Sequence, residues 1–300
     1  MRENLNALLT TLYVHIDDHV APARTGRGRR PRLTDSELIT LAVAQALLGF
    51  SSEHRWIRYA MCHLRPYFGY LPKQPGYNKR LRAAEPLIRQ AIRALGRDSD
   101  LWFDNHWIVD STPLPCGMSR PTAKRSDLAG WANYGYCASH SRFFWGLRLY
   151  LVCTPAGLPV LWALADPKAQ GGEQAVLAAM LDHDAGIVAA RPGLVLVTDK
   201  GFASKALEAD LAGRGVLLLR PSRRNERARP GEPLLKSVRQ LIESVNDTLK
   251  GQLDLEAHGG RIPEGVMVRV GQRILALTAA VWNNHRTHQP VLRSLTAYDH

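Results

Sequence analysis

Two apolar runs in this chain each end on an aspartate, and that pattern restricts the possible folds more than any other feature. One run is Trp107-Ile108-Val109, closed by Asp110-Ser111-Thr112-Pro113; the other is Leu194 to Thr198, closed by Asp199-Lys200-Gly201-Phe202. Short, uninterrupted Leu/Ile/Val runs read as strands covered on both faces, the hallmark of a sheet sandwiched between helices. An acid at the end of such a run must be solvated at the sheet edge, hydrogen-bonded or coordinated to a cation. In open α/β sheets, ligands collect outside the strand ends.

The surrounding pattern extends this reading. Strands are expected over 107–112, 143–153 and 158–165, the last two joined through Pro155-Ala156-Gly157-Leu158-Pro159. That turn interrupts the longest uncharged stretch, Leu149 to Ala165, and suits a hairpin better than a membrane span. A helix over 173–181, a strand over 194–198, a short helix over 204–211 and a strand over 216–219 follow. A helix carrying Glu243 and a last one over 264–282 complete the series. The order β-β-β-α-β-α-β-α-α predicts an α/β, ribonuclease H-like fold with a mixed five-stranded sheet flanked by helices.

Residues 1 to about 97 read as helical instead. Thr34-Asp35-Ser36-Glu37 is a capping box opening a helix with Leu38, Leu41, Ala42 and Leu48 inward. Further helices are expected over 53–64 and 78–95. The chain therefore divides into a helical domain, 1–98, and an α/β catalytic domain, 99–300.

Charge narrows the partner. Thirty-nine Lys and Arg against 27 Asp and Glu leave +12, with a pI near 9.9. A polyanion is the natural ligand, because each cation that neutralises a phosphate releases counterions. Arg24, Arg27, Arg29, Arg30 and Arg32 form a basic run without an acid. Cys62, Cys116, Cys137 and Cys153 are widely spaced, which fits neither a disulfide framework nor a zinc cage and implies a reducing compartment. The N-terminus carries no signal-peptide pattern, so a soluble, cytoplasmic protein is expected. The pairs His15/His19 and His285/His288 lack a Glu or Cys partner at ligand spacing. No Walker loop, dinucleotide fingerprint or Gly-x-Ser-x-Gly occurs.

Toward the C-terminus, Arg239, Glu243 and Lys250 fall on one face of an expected helix. Leu234, Val238, Leu241, Ile242, Val245 and Leu249 form its apolar stripe. Asp110, Asp199 and Glu243 together make an oxygen-ligand set suited to Mg²⁺ or Mn²⁺. Two such ions about 4 Å apart activate a hydroxyl and stabilise the leaving 3′ oxygen of a phosphodiester. Asp247, one turn on, is the near rival of Glu243.

These segments resemble a bacterial insertion-sequence transposase of the Asp-Asp-Glu superfamily. Arg239, Glu243 and Lys250 are similar to that superfamily's Tyr-x2-Arg-x3-Glu-x6-Lys signature, with Lys236 where the tyrosine stands. The Ile-Val-Asp-Ser-Thr-Pro-Leu-Pro-Cys segment, Asp199-Lys-Gly-Phe and Asn78-Lys-Arg-Leu are most similar to insertion-sequence family nine-eight-two. The resemblance implies cleavage at transposon ends and joining of the freed 3′-hydroxyl to target DNA, with Asp110, Asp199 and Glu243 holding two metal ions. A nuclease without strand transfer and an inactive DNA-binding derivative are the alternatives.

For such a protein the DNA contacts are expected from Arg239, Lys250 and Lys200, and from Arg220, Arg223 and Arg224. Lys124, Arg125 and Trp131 form a second basic and aromatic stretch, suited to backbone contact and base stacking. The helical domain is expected to read the terminal inverted repeats through Arg29, Arg30, Arg80 and Arg82. The resemblance also implies a homodimer on double-stranded DNA, associated with the nucleoid and not with a membrane.

Overall fold

The computed structural model describes residues 3–21, 31–137, 141–229, 231–292 and 294–298, without the side chains at 234 and 236. In chain order, helices α1 (Glu3–His19), α2 (Asp35–Leu47), α3 (Glu53–His63), α4 (Gln74–Ala83) and α5 (Glu85–Arg97) precede strand β1 (His106–Gly117). A short helix α6 (Arg120–Arg125) leads to β2 (Asn133–Cys137), β3 (Arg142–Cys153) and β4 (Pro159–Ala165). Then come α7 (Gly172–His183), α8 (Ala185–Ala189), β5 (Val195–Val197), α9 (Lys205–Gly213) and β6 (Leu217–Leu219). The last helices are α10 (Glu232–Asp247) and α11 (Pro263–Arg286). None of the described helices is long and apolar enough to cross a membrane.

The chain groups into two units, Met1–Asp98 with Thr248–His300, and Ser99–Asp247. The sequence pattern put all of 99–300 in one domain; here residues 248–300 group with the N-terminal helices. The reason lies in α11, whose residues from Val270 to Asn284 are all buried and which packs against α2 and α5. In that first unit the capping box forms as expected: Thr34 Oγ1 accepts from the Glu37 N–H at 3.1 Å, and Glu37 Oε2 accepts from the Thr34 N–H at 2.6 Å. The single helix expected over 78–95 is two. Pro86, in the first turn of α5, has no N–H to offer and would collide with the carbonyl one turn back, so the helix breaks at Ala84.

The second unit is built on a mixed sheet. β1 lies between β3, antiparallel, and β5, parallel, and β6 adds in parallel to β5. The other edge of β3 pairs with β2 near its start and β4 near its end. The β3–β4 hairpin closes where the proline-bracketed turn predicts, with the Gly157 N–H on Thr154 O at 2.9 Å and Gly157 at φ +80°. Strand β2 was not expected, because Asn133-Tyr-Gly-Tyr-Cys137 has no continuous apolar run and only Cys137 is buried.

Helix α10 packs on β1 and β5. Its buried side chains are Leu235, Ile242, Val245 and Asn246, while Val238 and Leu241 are half-buried. The stripe is therefore rotated from the expected one, and Asn246 joins the inward face. The α-helix ends at Asp247, and Thr248–Gln252 continue as a π-helical turn. With i→i+5 bonding there, the angular step changes, so the regular spacing from Arg239 to Lys250 is not kept. Lys250 also belongs to the first unit.

Candidate active site

Strand register fixes the core of the site. Ile108 pairs with Val197 across the parallel β1–β5 ladder, and Asp110 and Asp199 each stand two residues further on. Asp110, which lies inside β1 and not at its end, and Asp199, just past the end of β5, therefore stand side by side beyond the last rung of that ladder. Asp199 closes the sharp turn beyond β5, its Oδ1 accepting from the Gly201 N–H at 2.7 Å. Asp110 Oδ2 accepts from Asn246 Nδ2 on α10 at 2.7 Å. Neither aspartate forms an ion pair among the described residues.

A third carboxylate completes the cluster, and the sequence did not single it out. Glu173, in the first turn of α7, accepts through Oε1 from Ser111 Oγ at 2.7 Å and from Arg148 Nη1 of β3. Arg148 Nη1 also donates to Ser111 Oγ at 2.8 Å. The other oxygen, Oε2, faces Gly201: a Cβ at that position would lie 2.5 Å from Glu173 Oε2 and 2.9 Å from Asp199 Oδ1. Both acids thus press on the space that glycine leaves open.

Burial pushes the Asp110 carboxyl up to about 6, and the charges of Asp199 and Glu173 push it the same way against Arg239 and the Ser111 backbone. Confined like charges of this kind are relieved by a cation. Asn246 adds a second sign, for its buried Oδ1 finds no hydrogen-bond donor among the described residues. Hard carboxylate oxygens beside an orphaned carbonyl fit a divalent ion of the Mg²⁺ class.

Glu243 is placed differently from the two aspartates. Its side chain is 58% exposed and its partner is Arg239, 3.7 Å away on the same helix. Among the described residues no three His, Cys, Asp or Glu side chains stand close enough to hold an ion as they are. Arg239, Glu243 and Asn246 nonetheless share a face of α10 through i, i+4 and i+7 spacing, so the face bonded to Asp110 also carries Glu243. Asp247 is exposed at the helix end.

Residues 103–261 match the family described as Transposase DDE domain. The chain belongs to this DDE transposase family. The family implies divalent-metal dependence and action on nucleic acid, in keeping with the donor set around Asp110. Among solved structures, the piggyBac transposase synaptic complex with hairpin DNA aligns with 99% of this chain and 76% of that one, at 10% identity and a TM-score of 0.48. No curated protein matches the chain.

In a DDE transposase the arginines and lysines are read against DNA, and the structure sorts them. Arg220 requires correction: it is buried, donating through Nε to Glu208 Oε1 at 2.8 Å and through Nη1 and Nη2 to Glu226 at 2.7 and 2.8 Å. In this fold its guanidinium is engaged by those two carboxylates. Arg80 is likewise engaged, donating to Asp35 Oδ1 at 2.7 Å and to Leu33 O. Arg82 is half-buried, its Nε enclosed. Arg223 is exposed but donates to Ala203 O, whereas Arg224, Lys200, Lys124 and Arg125 are exposed. Arg24, Arg27, Arg29 and Arg30 lie outside the described residues, as do the side chains of Leu234 and Lys236.

Trp131 is half-buried. Three of the exposed aromatics, Tyr134, Tyr136 and Phe143, lie on the β2–β3 ladder, with Tyr136 and Phe143 directly paired and their rings 4.9 Å apart; Tyr67 and Phe103 are exposed elsewhere. Period-two alternation puts Tyr134 and Tyr136 on one face, a signal present in the sequence beside Lys124 and Arg125.

Proposed function

We propose that this chain is an insertion-sequence transposase that binds the terminal inverted repeats of its element, cleaves the phosphodiester at each end and joins the freed 3′-hydroxyl to target DNA. The observation that carries the reading is the alignment of Asp110 and Asp199 on neighbouring parallel strands, each two residues beyond the last paired rung, inside the segment that matches the transposase family. Asp110, Asp199 and Glu243 are the proposed holders of two divalent ions, Mg²⁺ or Mn²⁺. Such ions supply activation of the attacking hydroxyl and stabilisation of the leaving 3′ oxygen.

The remaining roles belong to the protein's own groups. Asn246 orients Asp110 through its amide. Arg239 offers its guanidinium to a phosphate beside Glu243, while Lys124, Arg125, Lys200 and Arg224 hold the DNA backbone. Tyr134, Tyr136 and Phe143 offer rings to unpaired bases. The N-terminal helices read the terminal repeat, and Lys250 adds a phosphate contact. A ribonuclease H-like catalytic fold is supported by a hairpin followed by parallel crossover strands. Membership of insertion-sequence family nine-eight-two, a bacterial and cytoplasmic setting on the nucleoid, and a homodimer pairing two ends complete the reading.

The test is cleavage of a labelled duplex carrying the element's terminal repeat, with Mg²⁺ or Mn²⁺, by wild type and Asp199→Ala. Metal-dependent nicking at the repeat boundary, abolished by the substitution, is the expected result. Tight binding without cleavage under either ion would sink the enzyme reading.

A further inference from the structure

Glu173 lies outside every motif that identifies the chain, yet three elements converge on it. Ser111 comes from β1, next to Asp110; Arg148 comes from β3; Gly201 comes from the turn that Asp199 caps. Arg148 and Glu173 are both mostly enclosed, with side chains 19% and 24% exposed. The bonds from Ser111 and Arg148 to Glu173 both end on Oε1, so the carboxylate is fixed in rotation and its second oxygen is directed to the Gly201 backbone, where Asp199 Oδ1 also lies. Next to Glu173, Gln174 Nε2 donates to Gly201 O at 2.6 Å, tying the first turn of α7 to the same glycine. Helix α7 is thus docked on the turn, and its acid is aimed at the aspartates.

We propose that Glu173 is a positioning residue of the acid pair, its Arg148-anchored carboxylate adding the third negative charge that sets how tightly Asp110 and Asp199 hold a divalent ion. This inference rests on the reading of Asp110 and Asp199 as the ion-holding pair. It assigns Arg148 an opposing part: the guanidinium fixes the carboxylate and offsets some of its charge. A simple bracket between α7 and the sheet would need the same hydrogen bonds but no charge, and the two roles separate cleanly by substitution.

The experiment is titration of the full chain with Mn²⁺ alone, free ion read by electron paramagnetic resonance, beside thermal unfolding without metal. In Glu173→Gln the amide oxygen still accepts from Ser111 and Arg148, so the unfolding temperature holds while Mn²⁺ affinity falls about tenfold, the scale of outer-shell changes. In Arg148→Gln an N–H donor remains but the offsetting cation is gone, and Mn²⁺ affinity rises. A bracket, which needs only the hydrogen bonds, predicts wild-type Mn²⁺ binding in Glu173→Gln and no gain in Arg148→Gln; charge predicts opposite signs. Should Glu173→Gln fail to fold, Arg148→Gln decides alone, and unchanged or weaker binding overturns the proposal. Asp199→Asn is the control. If it abolishes Mn²⁺ binding while Glu173→Gln binds like wild type, the role of Glu173 falls and the acid pair stands. If Asp199→Asn binds like wild type, the acid-pair reading falls and this inference with it.

Discussion

Two charge clusters in the α/β unit are built on opposite terms. Around Asp110 the strand register gathers acids that push against one another and raise the Asp110 carboxyl to about 6 through burial and repulsion. Between Arg220 and Glu232 the signs interleave. Arg220 is clamped by Glu208 and Glu226, Arg229 donates to Glu208 at 2.7 Å, and the Glu232 carboxylate accepts from the Ser222 and Arg229 N–H groups. There the bonds from Arg220 hold the Glu226 carboxyl down to about 2. Residue type alone makes both segments look like ligand sites. Pairing separates them: the cluster left in repulsion is the one a cation can stabilise, and the satisfied cluster stabilises the fold.

The largest expected effect breaks the first cluster. Asp199→Asn keeps an acceptor for the Gly201 N–H but removes one charge, so metal-dependent cleavage falls about 10³-fold or more while the unfolding temperature holds or rises. A large fall in stability together with activity would mean that the acids are structural. The second prediction concerns pH. The folded-state carboxyl of Asp110 lies above its ordinary value of 3.8, at about 6, so between these values the folded protein binds the proton more tightly than the unfolded chain. This group's stabilising contribution is complete below about pH 4 and lost as pH rises through about 6. Denaturant unfolding of metal-free protein should show wild type losing about 3 kcal/mol relative to Asp110→Asn across that window. A difference that does not vary with pH would show that Asp110 is not strained.

Much of this was legible in the sequence because burial on both faces of a sheet leaves continuous apolar runs. Trp107-Ile108-Val109 and Leu194 to Val197 announce their strands, and the acids after them inherit a fixed place. Strand β2 left no such mark: it takes its hydrogen bonds from β3 while exposing Tyr134 and Tyr136. Glu173 was illegible for a different reason, since its partners Ser111 and Arg148 are 62 and 25 residues away and only the folded sheet brings them together. Asn246 was hidden by the rotated stripe of α10. Arg220 misled because its basic neighbours suggest phosphate, while Glu208, 12 residues earlier on α9, supplies the partner.

The two smaller predictions test whether pairing is the right criterion for a cation's role. Arg220→Ala leaves Glu208 with Arg229 alone and Glu226 without its guanidinium, so the unfolding temperature should drop by roughly 5 °C, with cleavage by the folded fraction unchanged. Lys124→Ala with Arg125→Ala should do the reverse. Both side chains are exposed on α6, so stability holds, and if each meets one phosphate the slope of log affinity against log salt becomes shallower by about two. Fluorescence anisotropy with a labelled duplex at several salt concentrations gives that slope directly. The same series on Arg220→Ala makes the comparison decisive. If its slope matches wild type, the interleaved acids have taken that arginine out of DNA binding. If it loses as much slope as the Lys124/Arg125 pair, Arg220 exchanges its carboxylates for phosphate when DNA arrives, and the satisfied cluster is a binding site held in reserve.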